Sequence, residues 1–182
     1  MPSEFRGIGS RQAVDQALHR LSRKGTIRRL THGVYDFPKK HPTLGLIIPS
    51  IETVARAIAG RDRTRLQPAG VHAANTLGLT EKVSAKVVFL TDGPTRTVTI
   101  GTTTIQLRRT TAKNMATAGR LSGLLIQALR ELGKDNLTPQ QREHLKRTQP
   151  FAKRRELLKD LNLAPVWMHE IFRDLANDDA TA

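Results

Sequence analysis

Between Arg11 and Lys24 the apolar residues Ala13, Val14, Ala17, Leu18 and Leu21 recur at helical spacing and form one narrow stripe. The opposite face carries Gln12, Asp15, Gln16, His19 and Arg23. Ser10 is placed to cap this helix, and Gly25 to end it. Ahead of it, Gly7-Ile8-Gly9 predicts a tight turn and Pro2–Phe5 a short helical turn. After Gly25 the period drops to two. Thr26–Leu30 and Val34–Phe37 flank a turn at Thr31-His32-Gly33 and predict a short hairpin.

Pro38-Lys39-Lys40-His41-Pro42 contains no apolar residue and reads as a linker. Beyond it a helix is expected over Ile51–Ala59, capped by Ser50, then a short strand at Arg65–Pro68 and an Ala-rich helix at Gly70–Leu77. Lys86–Thr91 is a buried-strand pattern stopped by Asp92-Gly93-Pro94, and Arg96–Ile100 with Thr103–Arg108 alternate around Gly101 as a hairpin. Helices follow from Arg120 to Leu132, from Thr138-Pro139, from about Pro150 to Leu161, and from Pro165 to Ala176, with a frayed tail over Asn177–Ala182. The expected fold class is therefore mixed α/β (α+β). Residues 1–42 would form a small unit with the element order of the second half of a winged helix-turn-helix. Residues 43–182 would form a larger α/β domain with a helical C-terminal end.

Charge sharpens this picture. The 182 residues hold 30 Lys and Arg against 16 Asp and Glu, a net +14, which predicts attraction to polyanions. Aromatic residues make up 4 %, so the core must be built from Leu, Ile, Val and Ala. The absence of cysteine removes disulfides, thiolate metal sites and Cys nucleophiles. No apolar run approaches a membrane span and the N-terminal MPSEFRGIGSRQ has no apolar signal region, so a cytoplasmic protein is expected.

In a winged helix the N-terminal residues Ser10, Arg11 and Gln12 would meet base edges, with Gln16, His19 and Arg23 further along the same face. Arg28, Arg29 and His32 on the hairpin would neutralise phosphate. Taken alone, the helix face is more simply a solvated surface; the glycine turn before it and the basic hairpin after it reverse that and favour DNA. A second basic concentration comprises Arg142, Lys146, Arg147, Lys153, Arg154 and Arg155. These residues are either solvated helix faces or an electrostatic contact with an acidic partner protein or an RNA, with Arg147, Lys153, Arg154 and Arg155 the candidate partner-binding set.

Catalytic signatures fail. Met168-His169-Glu170 opens like a zinc helix, but the second histidine position holds Arg173. Gly119-Arg120-Leu121-Ser122-Gly123 has the wrong spacing for a nucleophile elbow, and Gly7-Ile8-Gly9 has Gln12 where a third glycine is required. The six histidines do not cluster, and Asp92 reads as a turn residue rather than a metal ligand. Neither enzyme activity nor a cofactor is expected.

The run GSRQAVDQALHRLSRKGTIRRLTHGVYDFP resembles the N-terminal winged helix of AbiEi-type antitoxins, the antitoxin half of type IV (abortive-infection) toxin–antitoxin pairs. The likeness continues through PAGVHAANTLGL, KVVFLTDGPTRTVTIG, TIQLRRT, LIQALRELGK and LAPVWMHEIF. The resemblance implies a two-domain phage-defence protein. Its winged helix would bind inverted repeats in its own promoter and repress it, as a dimer if two copies share the site. Its C-terminal domain would counter a nucleotidyltransferase-type toxin. Carried over by position, Ser10, Arg11, Gln12, Gln16, Arg28, Arg29 and His32 form the DNA-reading set. Relatives carry a further helix before the stretch matching MPSEF; the expectation is that Val14, Leu18 and Leu21 take cover from Ile51–Ala59 or another part of the second domain, or from a second chain, or that the natural start lies upstream. An alternative function is a protein-interaction module that blocks the toxin directly, with incidental DNA affinity. No membrane partner is expected.

Overall fold

The structure is a computed structural model that describes residues 5, 7–43, 45–60 and 64–177; the turn expected at Pro2–Phe5 and most of the tail after Asn177 lie outside these residues. The chain is a mixed α/β protein. Helix α1 spans Arg11–Arg23, with Ser10 Oγ accepting from the Ala13 amide at 3.2 Å and Lys24 as C-cap. Gly25 follows at φ +72°, a left-handed position that stops the helix without the steric cost of a side chain. Strands β1 (Arg28–Thr31) and β2 (Val34–Asp36) form the expected hairpin, with Arg28 opposite Asp36 and Arg29 opposite Tyr35.

The expected linker is instead the first strand of a second hairpin. Strand β3 (Lys39–His41) pairs antiparallel with β4 (Gly45–Ile47), so the domain boundary expected after residue 42 falls inside its turn. Every side chain on both strands is exposed. Backbone pairing alone makes these strands, which is why no apolar alternation announced them.

Helix α2 (Ile51–Ala59) starts at the Ser50 cap, and β5 (Leu66–Ala69) leads into α3 (Val71–Thr76). Strands β6 (Lys86–Thr91), β7 (Arg96–Ile100) and β8 (Thr103–Arg109) complete a sheet of order β5-β6-β8-β7, in which only β6 and β8 run parallel. Because strand side chains alternate, Val87, Phe89, Ile105 and Leu107 all face one side. There they meet Val54, Ala55, Ile58 and Ala59 of α2, and Leu30 and Val34 of the first hairpin join the same cluster. That hairpin is thus seated on the sheet, with β1 against β7. Leu18 is buried and Val14 half-buried, whereas Leu21 remains 38 % exposed.

The helical end comprises α4 (Ala112–Met115), α5 (Leu121–Leu132), α6 (Pro139–Thr148), α7 (Phe151–Arg155) and α8 (His169–Ala176), with 3₁₀ segments at Glu156–Leu163 and Val166–Met168. Its core joins α3, α5, α6, α8 and the 3₁₀ segments through Ala73, Ala74, Leu125, Leu129, Leu145, Leu157, Met168, Phe172 and Leu175. The helix expected from Pro150 to Leu161 turns 3₁₀ after Arg155. The buried residues Arg154, Leu157 and Asp160 lie three apart, the period of a 3₁₀ helix rather than an α-helix. Gly123 lets α5 approach the sheet, since a Cβ there would run into the Thr117 carbonyl and the Gln67 side chain.

Candidate nucleic-acid interface

Helical geometry places Gln12, Gln16, His19 and Arg23 on one face of α1, away from buried Leu18. All four are exposed, and a groove of about 690 Å³ runs past Arg11, Gln12, Gln16 and His19. Arg20 and Asp15 border the same groove. Arg11 stands a quarter-turn round from the Gln12 face, and its Nε lies 3.9 Å from Asp15 Oδ2. Its side chain is 92 % exposed, so this ion pair is weak and easily exchanged for another anion. Ser10, exposed at the helix start, uses its Oγ as the cap.

The two adjacent arginines of the first hairpin have different surroundings. Successive strand residues point to opposite faces. Arg28 lies directly across from Asp36, and its Nη2 donates to Asp36 Oδ2 at 2.5 Å and to the Ile47 carbonyl at 3.2 Å. Its charge is neutralised and it clasps one hairpin to the other. The expectation that Arg28 faces phosphate beside Arg29 is corrected accordingly. Arg29 is exposed, with Nη2 2.9 Å from His32 Nδ1 and Nε 3.4 Å from the Thr31 carbonyl. Since arginine only donates, Nδ1 is the acceptor in this contact, which sets the guanidinium and the imidazole side by side at the hairpin tip. Lys39, Lys40 and His41 add exposed basic groups on β3 that the linker reading did not single out.

The C-terminal basic residues divide in the same way. Arg154 is 6 % exposed, and donates from Nη1 to the Leu175 and Asn177 carbonyls at 2.7 and 3.0 Å and from Nε to the Gln149 carbonyl at 3.2 Å. It holds α7 to the end of α8 and is not a partner-binding surface, a second correction. Arg142 and Lys146 both pair with Asp174, at 3.1 and 3.0 Å. Burial acts to raise the Asp174 carboxyl, but the hydrogen bonds and charges of Lys146 and Arg142 outweigh it and hold the group below the usual carboxylate range. Arg147, Lys153 and Arg155 remain exposed.

The residues weighed for catalysis have structural partners. Asp92 accepts from Arg65 Nε at 2.8 Å and from the Arg65 amide at 2.9 Å. The Arg65 hydrogen bond is the main reason its pKa is lowered. Ser122 Oγ donates a short hydrogen bond to buried Asp160, which also takes Arg120 Nη1 at 2.7 Å. His169 Nε2 donates to the Ala164 carbonyl at 3.2 Å. Among the described residues no group of three or more His, Asp or Glu side chains could hold a metal ion, and no helix is long and apolar enough to cross a membrane.

A mixed α/β protein with an exposed polar helix and a basic hairpin is the class these features define. Residues 1–157 match DUF6088, a family of unknown function, and the chain belongs to that family. No curated protein and no solved structure matches it.

Proposed function

We propose that the protein is a DNA-binding antitoxin that represses its own promoter and counters a nucleotidyltransferase-type toxin, the function implied by its resemblance to AbiEi-type antitoxins. The observation that carries the DNA-binding part is the exposed face Gln12, Gln16, His19 and Arg23 on a capped helix, followed by a hairpin whose tip holds Arg29 and His32. That is the order of a recognition helix and its wing. Gln12 and Gln16 carry the amides that bond adenine through two contacts, and Arg11, loosely held by Asp15, carries the fork that reads guanine. The wing then neutralises backbone phosphate through Arg29, with Lys39 and Lys40 of the second hairpin adding charge. The net +14 supports the same reading.

The test is a titration of the full chain on the DNA upstream of its own gene, beside a scrambled duplex, across a salt series. Binding that prefers the upstream DNA and weakens with a log–log slope of about −0.9 per neutralised phosphate is expected. Equal, weak binding to both duplexes overturns the repressor reading.

A further inference from the structure

We propose that the cleft between β8, α4 and α5 binds a small phosphomonoester, a function separate from DNA binding. The cleft holds about 230 Å³ and is lined by Arg108, Thr110, Asn114, Gln127, Arg130 and Glu131. Its position follows from strand alternation. Ile105 and Leu107 face α2, so Arg108, directly opposite Leu90 in the parallel register, faces the other side of the sheet, where α5 packs. On α5, Gln127 and Arg130 are one turn apart and point the same way.

The polar groups are arranged to donate. Asn114 Oδ1 accepts from Arg130 Nη1 at 3.4 Å, and its Nδ2 donates to Thr110 Oγ1 at 2.9 Å. Asn114 therefore orients the Arg130 guanidinium and, by occupying a lone pair of Thr110, leaves that hydroxyl proton free to turn into the cleft. Gln127 is 6 % exposed, lines the cleft, and makes no hydrogen bond with the described residues. Its amide is not sealed from solvent: the polar end opens into the cleft, where it can bond an occupant. The Arg108 side chain likewise has no ion pair or hydrogen bond among the described residues.

Two guanidinium forks, an amide and a hydroxyl converging on one cleft match the oxygens and double charge of a phosphoryl group better than a planar carboxylate. Glu131 is the opposing charge. Its Oε2 lies 3.4 Å from where a Cβ on Gly70 would stand, which sets the carboxylate at the Gly70 edge of the cleft. A carboxylate at this edge accepts from hydroxyl or amine groups, which a phosphomonoester with a polar body carries and a bare anion does not.

The experiment titrates the ¹⁵N-labelled full chain with ribose 5-phosphate, ribose and sodium acetate at about 0.15 M salt, and follows the side-chain amide signals of Gln127 and Asn114. Saturable shifts with ribose 5-phosphate, and none with ribose or acetate, are expected. Arg108→Ala, a change at an exposed side chain, should weaken binding at least about tenfold, with Arg108→Lys in between because a lysine keeps the charge but not the fork. Gln127→Glu, which sets a second carboxylate in the cleft, should abolish binding, and Lys159→Ala, on the exposed surface, should leave it unchanged. Shifts spread without saturation over surface amides overturn the proposal, as do an unaltered affinity in Arg108→Ala or an equal affinity for acetate.

Discussion

The first fifty residues and the helical end after Arg120 are both rich in cations, yet they use them in opposite ways. Up to position 50 only Leu18 and Val34 are buried among the described residues, and the basic side chains of α1, the hairpin tip and β3 face solvent. From Arg120 on, four cations are committed to internal partners: Arg120 to Asp160, Arg142 and Lys146 to Asp174, and Arg154 to three backbone carbonyls. A high net charge is therefore not one property spread over the molecule. In the helical end much of it holds elements together, while in the N-terminal part it is available to a polyanion. Arg28 is the exception in the N-terminal part, clasping its hairpins as the C-terminal arginines clasp their helices.

The two regions should differ most in their response to loss of Arg154. Arg154→Ala leaves the Gln149, Leu175 and Asn177 carbonyls without their donor, and should destabilise the chain by about 3 kcal/mol in urea unfolding. Arg155→Ala, one residue on but exposed, should change stability by less than about 0.5 kcal/mol. Equal effects would mean that Arg154 is not the clasp.

On the N-terminal side the largest effects should appear in sequence discrimination rather than stability. Gln12→Ala or Gln16→Ala should each cost about 1–3 kcal/mol of preference for the cognate duplex over a scrambled one, with thermal unfolding unchanged. Arg29→Ala combined with His32→Ala should instead weaken all duplexes alike and flatten the salt slope by about 1. If the wing variant altered sequence preference and the helix variants did not, the two roles would be reversed. Arg28→Ala should behave like a C-terminal change, lowering stability through the orphaned Asp36 carboxylate more than it lowers DNA affinity.

The smallest expected effect is on acid stability. Asp174 has its folded pKa depressed, so its contribution is fully present above the ordinary carboxylate value near about 4 and is lost as pH falls through the folded value. Asp174→Asn should flatten the loss of stability with falling pH below about 4 and leave DNA binding at neutral pH untouched. A steeper acid limb in the variant would assign that pH dependence to other carboxylates.

Much of the fold was legible because its signals are local. The stripe of α1, the run at Lys86–Thr91 and the alternation around Gly101 all gave elements within a residue or two of the observed bounds. Three features were not legible. The β3–β4 hairpin has no buried side chain and so no apolar pattern. The 3₁₀ segment after Arg155 resembles an amphipathic α-helix until the spacing of Arg154, Leu157 and Asp160 is seen against the core. The short α4, which supplies Asn114 to the cleft, is a single capped turn with too few residues for any period. The candidate nucleic-acid face was read from order and charge, and those signals could not separate Arg28 from Arg29.

Local signals set the start, stop and alternation of most elements, since Ser10, Ser50 and Thr138 reach amides three positions on and the glycines act on their own backbone. Which cations meet an internal partner depends on the packing of elements far apart in the chain. A long side chain can reach groups far along the chain, such as Asp160 for Arg120, 40 positions away, or the Leu175 carbonyl for Arg154, 21 away. No local pattern encodes that choice, because packing of distant elements determines whether a charge meets an internal acceptor or water.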